Sequence, residues 1–346
     1  MKFGLFVFLL VLVAASLIFS IACVVIGKVK LSRAMRPIEY YPPKGYSPID
    51  VLVRYKGADA NMHEVFNPLM LYWADRGFIK IEEDCKRGLK LAKLKNLEMP
   101  ELPPGKNKQL IKNYKAEEEL FNSIFEYDDE FYTLAAPEVY KNDFARFMKT
   151  CRKNAQSTRS AATRKLSLAT KIGSFAIAVL VTLIAGLTSG GPQYLMMIFP
   201  LVGIIAFSAI PNEGIEGLIK YPFFAVWGGV PLCAFLALIQ TDCAIVIGCA
   251  VVNAALTVTV LSRKIDIRTE KGLELYGRID SFRTFLLDAE VDRLETLIED
   301  DPDYYYNVLP YCYVLKITEK LKPKFDRITT DGVSWYLGDL RDTLMF

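Results

Sequence analysis

Residues 3–27, FGLFVFLLVLVAASLIFSIACVVIG, are 25 consecutive positions without an Asp, Glu, Lys or Arg. At 1.5 Å of rise per residue, a helix of this length exceeds the roughly 30 Å hydrocarbon core of a bilayer and spans it with some tilt. A secretory signal has an apolar stretch of only about 7–15 residues and a small-residue cleavage site. This run is longer, has only Lys2 ahead of it, and is followed by Lys28, Lys30, Arg33 and Arg36. Because basic residues collect on the cytoplasmic side of a span, the run reads as an uncleaved anchor with its amino terminus outside.

The rest of the chain repeats this segregation of charge. It has 346 residues, 52% of them apolar and 23% charged, too greasy for a soluble protein and too charged for one lying wholly in lipid. Residues 172–210, 221–241 and 243–262 also lack ionised side chains. They read as four spans in two hairpins turned by SGGPQ and QTD. Arg146 to Lys171 flank them on one side, and Arg263, Lys264, Arg268 and Lys271 on the other. The outer turns hold no Lys or Arg, so five spans fit one orientation, carboxyl terminus in the cytoplasm of a plasma or inner membrane. The expected class is a mainly α membrane protein. It has an anchor (1–30), a winged-helix-like α+β cytoplasmic domain (31–95), a linker (96–112), cytoplasmic helices (113–170), four spans (171–262) and a helical carboxyl-terminal cytoplasmic domain (263–346).

The spans contain none of the ionisable residues that pumps and proton-coupled carriers place in the membrane, which disfavours transport. Asn253 reads as an interhelical hydrogen-bond donor, and Pro200, Pro231, Gly228 and Gly229 as close-packing positions. The seven cysteines form no C-x-x-C pair and His63 is the sole histidine, so no Cys/His metal ligand set and no disulfide framework is expected.

In the first polar region, Ser47 caps a short helix with Pro48 in its first turn and Asp50 three residues after the cap. A second helix, NMHEVFNPLMLYWADRG, is capped by Asn61 and Glu64 and ends at Gly77. FIKIEED and LKLAKLK about CKRG then alternate as a β-hairpin. Helix, helix, hairpin is the order of a winged helix. Yet residues 47–95 hold nine Lys or Arg against seven Asp or Glu, too even a balance for phosphate binding, so a nucleic-acid partner is disfavoured. Leu120, Phe121, Ile124 and Phe125, then Val139, Phe144, Phe147 and Met148, mark two further apolar helix faces.

After the last span, SFRTFLLDAEVDRLETLI reads as one amphipathic helix with Phe282, Phe285, Leu286, Ala289, Leu294, Leu297 and Ile298 on one side. The carboxylates of EDDPD lack the glycine and spacing of a calcium loop, and Asp301 and Pro302 start a helix packed through Tyr306, Leu309, Tyr311 and Leu315. The string GLELYGRIDSFRTFLLDAEVDRLETLIEDDPDYYYNVLPYCYVLKITEKLKPKF, through Gly272, Gly277, Phe282, Arg283, Phe285, Leu286, Pro302, Leu309, Pro310, Tyr311 and Phe325, resembles the carboxyl-terminal domain of YciQ-like predicted bacterial membrane proteins. Upstream, Ser47 and Pro48, ADRGFIKIEE and EEELFNSIFE are similar to that family's cytoplasmic segment. The resemblance implies an architecture and no activity. It also implies an extracytoplasmic β-rich domain ahead of the first span, which this chain would take from another polypeptide or do without.

No nucleophile and base stand together in sequence, so no catalytic and no cofactor-binding residue is expected, and no small-molecule substrate is identified. The expected partners are the lipid bilayer and a protein, or a second copy of the chain. Phe282, Phe285, Leu286 and Tyr311 are the candidate interaction residues. The expected function is a non-enzymatic scaffold or signalling adaptor, with a small transporter or channel component and a membrane-tethered nucleic-acid-binding regulator as alternatives.

Overall fold

The structure, a computed structural model, describes residues 2–56, 63–84, 88–102, 105, 108–133, 141–189, 198–209, scattered positions within 222–237, then 241–325, 327–328 and 336–337. The Asn61 cap, the hairpin turn about residues 85–87, the SGGPQ turn, Val139 and most of 210–240 lie outside them. The chain forms two compact units, one of residues 1–33 and 159–269, the other of residues 34–158 and 270–346.

The first unit is helical and apolar. Among the described residues, three helices are long and apolar enough to cross a membrane: Phe3–Ser32 (α1), Ala161–Thr188, the greater part of Ala161–Ser189 (α6), and Asp242–Lys264, most of it the helix Thr241–Thr259 (α8). A further apolar helix, Ile198–Ala209 (α7), has 12 residues. Helix α1 buries one stripe, Leu9, Val13, Ser20, Cys23, Val24 and Gly27, and turns Phe3, Phe8, Val11, Ile18 and Phe19 outward. Apolar side chains facing out all along a helix are what a hydrocarbon solvent accommodates. Small residues set the close approach of α6 and α8, with Ala178, Ala185, Ala250 and Ala254 all fully buried. Asn253 Nδ2 donates to Ser16 Oγ at 3.4 Å, joining α8 to α1, and its own Oδ1 accepts from Thr257 Oγ1 at 3.3 Å. At one end of the unit the chain after α8 is tied down by Thr163, whose Oγ1 accepts from the Ile267 amide at 2.9 Å. Ser167 Oγ donates to the Ser262 carbonyl at 2.9 Å, and Arg268 and Arg159 pair with Asp266 at 2.8 and 3.5 Å.

The second unit draws on both polar regions. In chain order it comprises Pro48–Tyr55 (α2), His63–Asp75 (α3), Ile79–Asp84 (β1), Gly88–Lys93 (β2), Lys108–Ile124 (α4), Glu130–Tyr132 (β3), Lys141–Ala155 (α5), Glu270–Asp288 (α9), Val291–Asp300 (α10), Tyr304–Leu315 (α11), Thr318–Phe325 (α12) and Tyr336–Leu337 (β4). The expected hairpin is present, with Ile79 opposite Lys93 and Asp84 opposite Gly88. It is the centre of a sheet in the order β3-β2-β1-β4, so both hairpin strands have an outer neighbour. The end of α3 is set by Gly77 at φ +70: its amide donates to the Ala74 carbonyl and the Phe78 amide to that of Trp73, at 2.8 and 2.9 Å, the paired bonds of a Schellman cap.

One core, in which Trp73, Tyr304, Phe121, Phe144, Phe147 and Phe282 are the largest fully buried side chains, runs through both sequence segments. The strap formed by residues 34–46 is pinned along the second segment. Tyr304 and Tyr311 hydroxyls donate to the Tyr40 and Tyr46 carbonyls, each at 2.8 Å, and Arg36 and Tyr55 both bond Asp280 at 2.7 Å. Two glycines make this packing possible. A Cβ on Gly277 would fall inside the Met35 carbonyl oxygen, and one on Gly272 inside the Thr158 carbonyl oxygen.

Three expectations are corrected. The polar regions, expected as separate cytoplasmic pieces, share one core. The linker expected over 96–112 is shorter, because α4 begins at Lys108 and Leu97 and Leu110 are buried. The single helix expected over 281–298 is two: α9 stops at Asp288 and Glu290 is extended. Lys324 explains the break, since its Nζ donates to the Leu287 and Ala289 carbonyls at 2.6 and 2.7 Å, giving the last turn of α9 the cation that a helix carboxyl end favours.

Candidate functional site

Helix α2, PIDVLVRY, is buried from Pro48 to Arg54, and the apolar face that would suit such a helix is interrupted by an ion pair. Ser47 Oγ accepts from the Asp50 amide at 3.2 Å, which fixes Asp50 in the first turn. One turn later the Arg54 guanidinium bonds the Asp50 carboxylate, with both residues 4% exposed. Asn113 on α4 donates its Nδ2 to the same carboxylate oxygen, and Asn113 Oδ1 accepts from Asn154 on α5. The Asp50 carboxylate thus ties α2 to α4, and Asn113 extends the chain of bonds to α5.

Glu117 lies one turn beyond Asn113 on α4. It is 6% exposed, and its Oε1 accepts from the Trp73 indole at 2.8 Å. Trp73 itself stands edge-on against Phe121, centroids 5.0 Å apart. A small cleft of about 20 Å³ lies beside these groups, lined by Ser47, Asp50, Tyr72, Arg76, Tyr114 and Glu117 together with Phe78, Leu97, Glu98, Pro100 and Leu102. The Arg76 guanidinium stacks on the Tyr72 ring 4.5 Å from its centroid.

The electrostatics follow from counting charges. The buried Arg54 guanidinium is bonded to Asp50, whereas Glu117 has a neutral indole as its hydrogen-bond partner, and taking an uncompensated carboxylate out of water favours its protonated form. Burial pushes the Glu117 carboxyl up to about 7 and the Asp50 charge adds to the rise, while the Trp73 hydrogen bond and Arg76 oppose it. Asp75, beside Arg76 in sequence, is likewise raised to about 7 by burial. The Cys151 thiol, packed nearby, is pushed well above its ordinary value by burial. It is held as a thiol, the weak form of a sulfur nucleophile. Ser47 is engaged as a helix cap. What the arrangement can do is accept a proton or a cation at Glu117.

The four candidate interaction residues lie elsewhere. Phe282 and Leu286 are fully buried and Tyr311 is 4% exposed, in the core shared by the two segments, and Phe285 is half-buried with Tyr40 edge-on at 4.8 Å. Their apolar face packs against the chain's own strap and helices. Sequence reading placed Asp50 only as a capping residue and passed over Trp73, Asn113 and Glu117. The signal was available: Leu110, Asn113, Glu117, Leu120, Phe121 and Ile124 recur at helical spacing on the buried face of α4, which puts an amide and a carboxylate in core positions.

A family model described as "Predicted membrane protein (DUF2207) C-terminal domain" matches residues 37–325, which include every residue of the cleft named above. No curated protein matches the chain, and no solved structure does. On the strength of that match and of its three long apolar helices, the chain belongs to this family of predicted membrane proteins of unknown function.

Proposed function

We propose that this protein is a non-enzymatic, membrane-anchored scaffold or adaptor, with its amino terminus outside and its second unit displayed in the cytoplasm. The observation that carries the reading is the closure of residues 34–158 and 270–346 into one core although 111 residues of largely apolar chain, 159–269, come between them. Such a domain is joined covalently to the apolar unit at three points of the chain, 33–34, 158–159 and 269–270. The basic flanks Lys28 to Arg36, Arg146 to Lys171 and Arg263 to Lys271 support a cytoplasmic setting.

Two observations weigh against the alternatives. The described spans carry no ionised side chain in their apolar stretches, which leaves a carrier without the groups it ordinarily uses. Lys80, Lys90 and Lys93 of the hairpin strands are engaged within the chain, Lys90 with Glu130 at 2.6 Å, Lys80 with Glu82 at 3.4 Å and Lys93 on the Phe121 ring, which weakens a nucleic-acid surface. The test is the mass of the intact chain extracted from its native membrane in mild detergent. A stoichiometric protein partner or a second copy is expected, and a monodisperse single chain of 39.0 kDa overturns the reading.

A further inference from the structure

We propose that the basic side chains gathered where α1, α6 and the turn after α8 meet form a binding surface for the headgroups of anionic phospholipids. Contacts within the first unit bring these elements together. A Cβ on Gly27 of α1 would lie 2.8 Å from the Asp266 carbonyl oxygen, Ser167 of α6 donates to the Ser262 carbonyl at 2.9 Å, and Thr163 Oγ1 accepts from the Ile267 amide at 2.9 Å. Lys28, Lys30 and Arg33 at the end of α1, Arg164 and Lys165 at the start of α6, and Lys264 in the 3-10 turn Leu261–Lys264 therefore share one end of the unit. All six are exposed, and none pairs with a carboxylate among the described residues. The one carboxylate within residues 27–33, 159–171 and 261–269 is Asp266, already engaged by Arg159 at 3.5 Å and Arg268 at 2.8 Å. Like charges held together repel one another, and an anion relieves that repulsion.

The neighbouring side chains select an amphiphile over a soluble anion. Val25 and Ile26 stand about one turn into α1 from Lys28 and Lys30, and Leu168 about one turn into α6 from Arg164 and Lys165, with Ile172 a further turn on. These four apolar residues are between 49% and 60% exposed. Positions three and four apart share a helix face, so the cations border an open apolar surface of the kind that takes an acyl chain. A phospholipid with net negative charge covers both parts, whereas inorganic phosphate or a nucleic acid leaves the apolar part bare. Basic clusters just outside a membrane span attract anionic headgroups in this way. The other end of α8 carries Asp242 in its first turn, so the positive charge is one-sided. The surface rests on the helices crossing a bilayer and does not depend on the adaptor reading, because a single chain can bind lipid and an oligomer can be indifferent to headgroup charge.

The test gives the full chain, delipidated in detergent, an equal mixture of phosphatidylglycerol and phosphatidylcholine with identical acyl chains, and native mass spectrometry counts the lipids retained. In detergent the outcome is independent of which face of the membrane this end meets. Phosphatidylglycerol should be retained about tenfold over phosphatidylcholine, as a cation or two contributing roughly fivefold each would give. Lys30→Gln with Arg164→Gln and Lys264→Gln, one cation from each element, should bring the ratio to about threefold or less. Lys149→Gln with Lys320→Gln and Arg327→Gln, exposed basic residues of the second unit, should leave it unchanged. Sodium phosphate in place of sodium chloride at equal ionic strength should not displace phosphatidylglycerol. A ratio near one in the parent, a ratio that the first variant keeps or that the second loses equally, or displacement by phosphate overturns the proposal. If the first variant does not fold by circular dichroism, the parent decides: its ratio should fall at least about threefold between roughly 0.05 and 0.5 M sodium chloride as the Debye length contracts, and a ratio constant with salt overturns the proposal.

Discussion

The Trp73 indole nitrogen donates 2.8 Å to Glu117 Oε1 across the interface of α3 and α4, the one hydrogen bond that this buried carboxyl accepts among the described residues. The carboxyl rises to about 7 from its ordinary 4.5, so the folded chain holds a proton there that the unfolded chain has released. Stability from this group is therefore complete below about pH 4.5 and is lost as pH rises toward 7. At roughly 1.4 kcal/mol per pKa unit the loss is about 3 kcal/mol. Asp75 changes in the same direction, so the quantity to follow by thermal unfolding is the difference between the parent and Glu117→Gln. That difference should shift toward the variant between pH 5 and pH 7.5; a difference flat with pH contradicts the assignment.

The Asp50–Arg54 pair should behave as a buried ion pair does. Arg54→Met leaves a carboxylate without its cation and should destabilise by roughly 3–5 kcal/mol, while Asp50→Asn with Arg54→Met should recover part of that loss. Denaturant unfolding of the full chain followed by tryptophan emission measures both. A double variant no more stable than Arg54→Met would show that the helix needs the charges for another reason.

Gly277→Ala should be disruptive because the added methyl meets the Met35 carbonyl, backbone that cannot simply rotate away. A cost at or above about 1–3 kcal/mol is expected. Gly173→Ala is the control, since a Cβ there has nothing within 4 Å. Equal melting temperatures for the two variants would contradict the close approach of strap and helix.

Lys324→Met removes the ammonium from the Leu287 and Ala289 carbonyls and should cost about 1.5–3 kcal/mol, the range for hydrogen bonds to a charged group. Hydrogen exchange should accelerate at the end of α9 and the start of α10 before it does so elsewhere. Unchanged exchange over residues 285–292 would show that the break between the helices has another cause.

Much of this fold can be read in the chain. The membrane helices announce themselves because 25 uncharged residues in a row have few other solutions, and Ser47, Gly77 and the alternation of β1 and β2 fix local geometry through short-range bonds. The shared core was hidden because it depends on pairing across more than 200 positions, as in Tyr304 with Tyr40 and Arg278 with Glu39. No periodicity within one segment encodes such a contact. The same limit applies to Phe282 and Tyr311: an apolar face shows that something covers it, without showing whether that cover is another molecule or residues 40–46 of the same chain. Glu117 and Asn113 could have been found, since polar residues on a buried helical stripe need partners, but Trp73 lies 44 positions from Glu117 and Asp50 lies 63 from Asn113.

In the proposed topology both segments of the second unit face the cytoplasm and the amino terminus faces the other way. Single cysteines replacing Phe3, Tyr127 and Lys320, all exposed, in a cysteine-free chain test it with a membrane-impermeant maleimide on intact cells and on inverted vesicles. Phe3→Cys should be labelled in intact cells only, and Tyr127→Cys and Lys320→Cys in inverted vesicles only. Labelling of Tyr127→Cys and Lys320→Cys from opposite faces would contradict it.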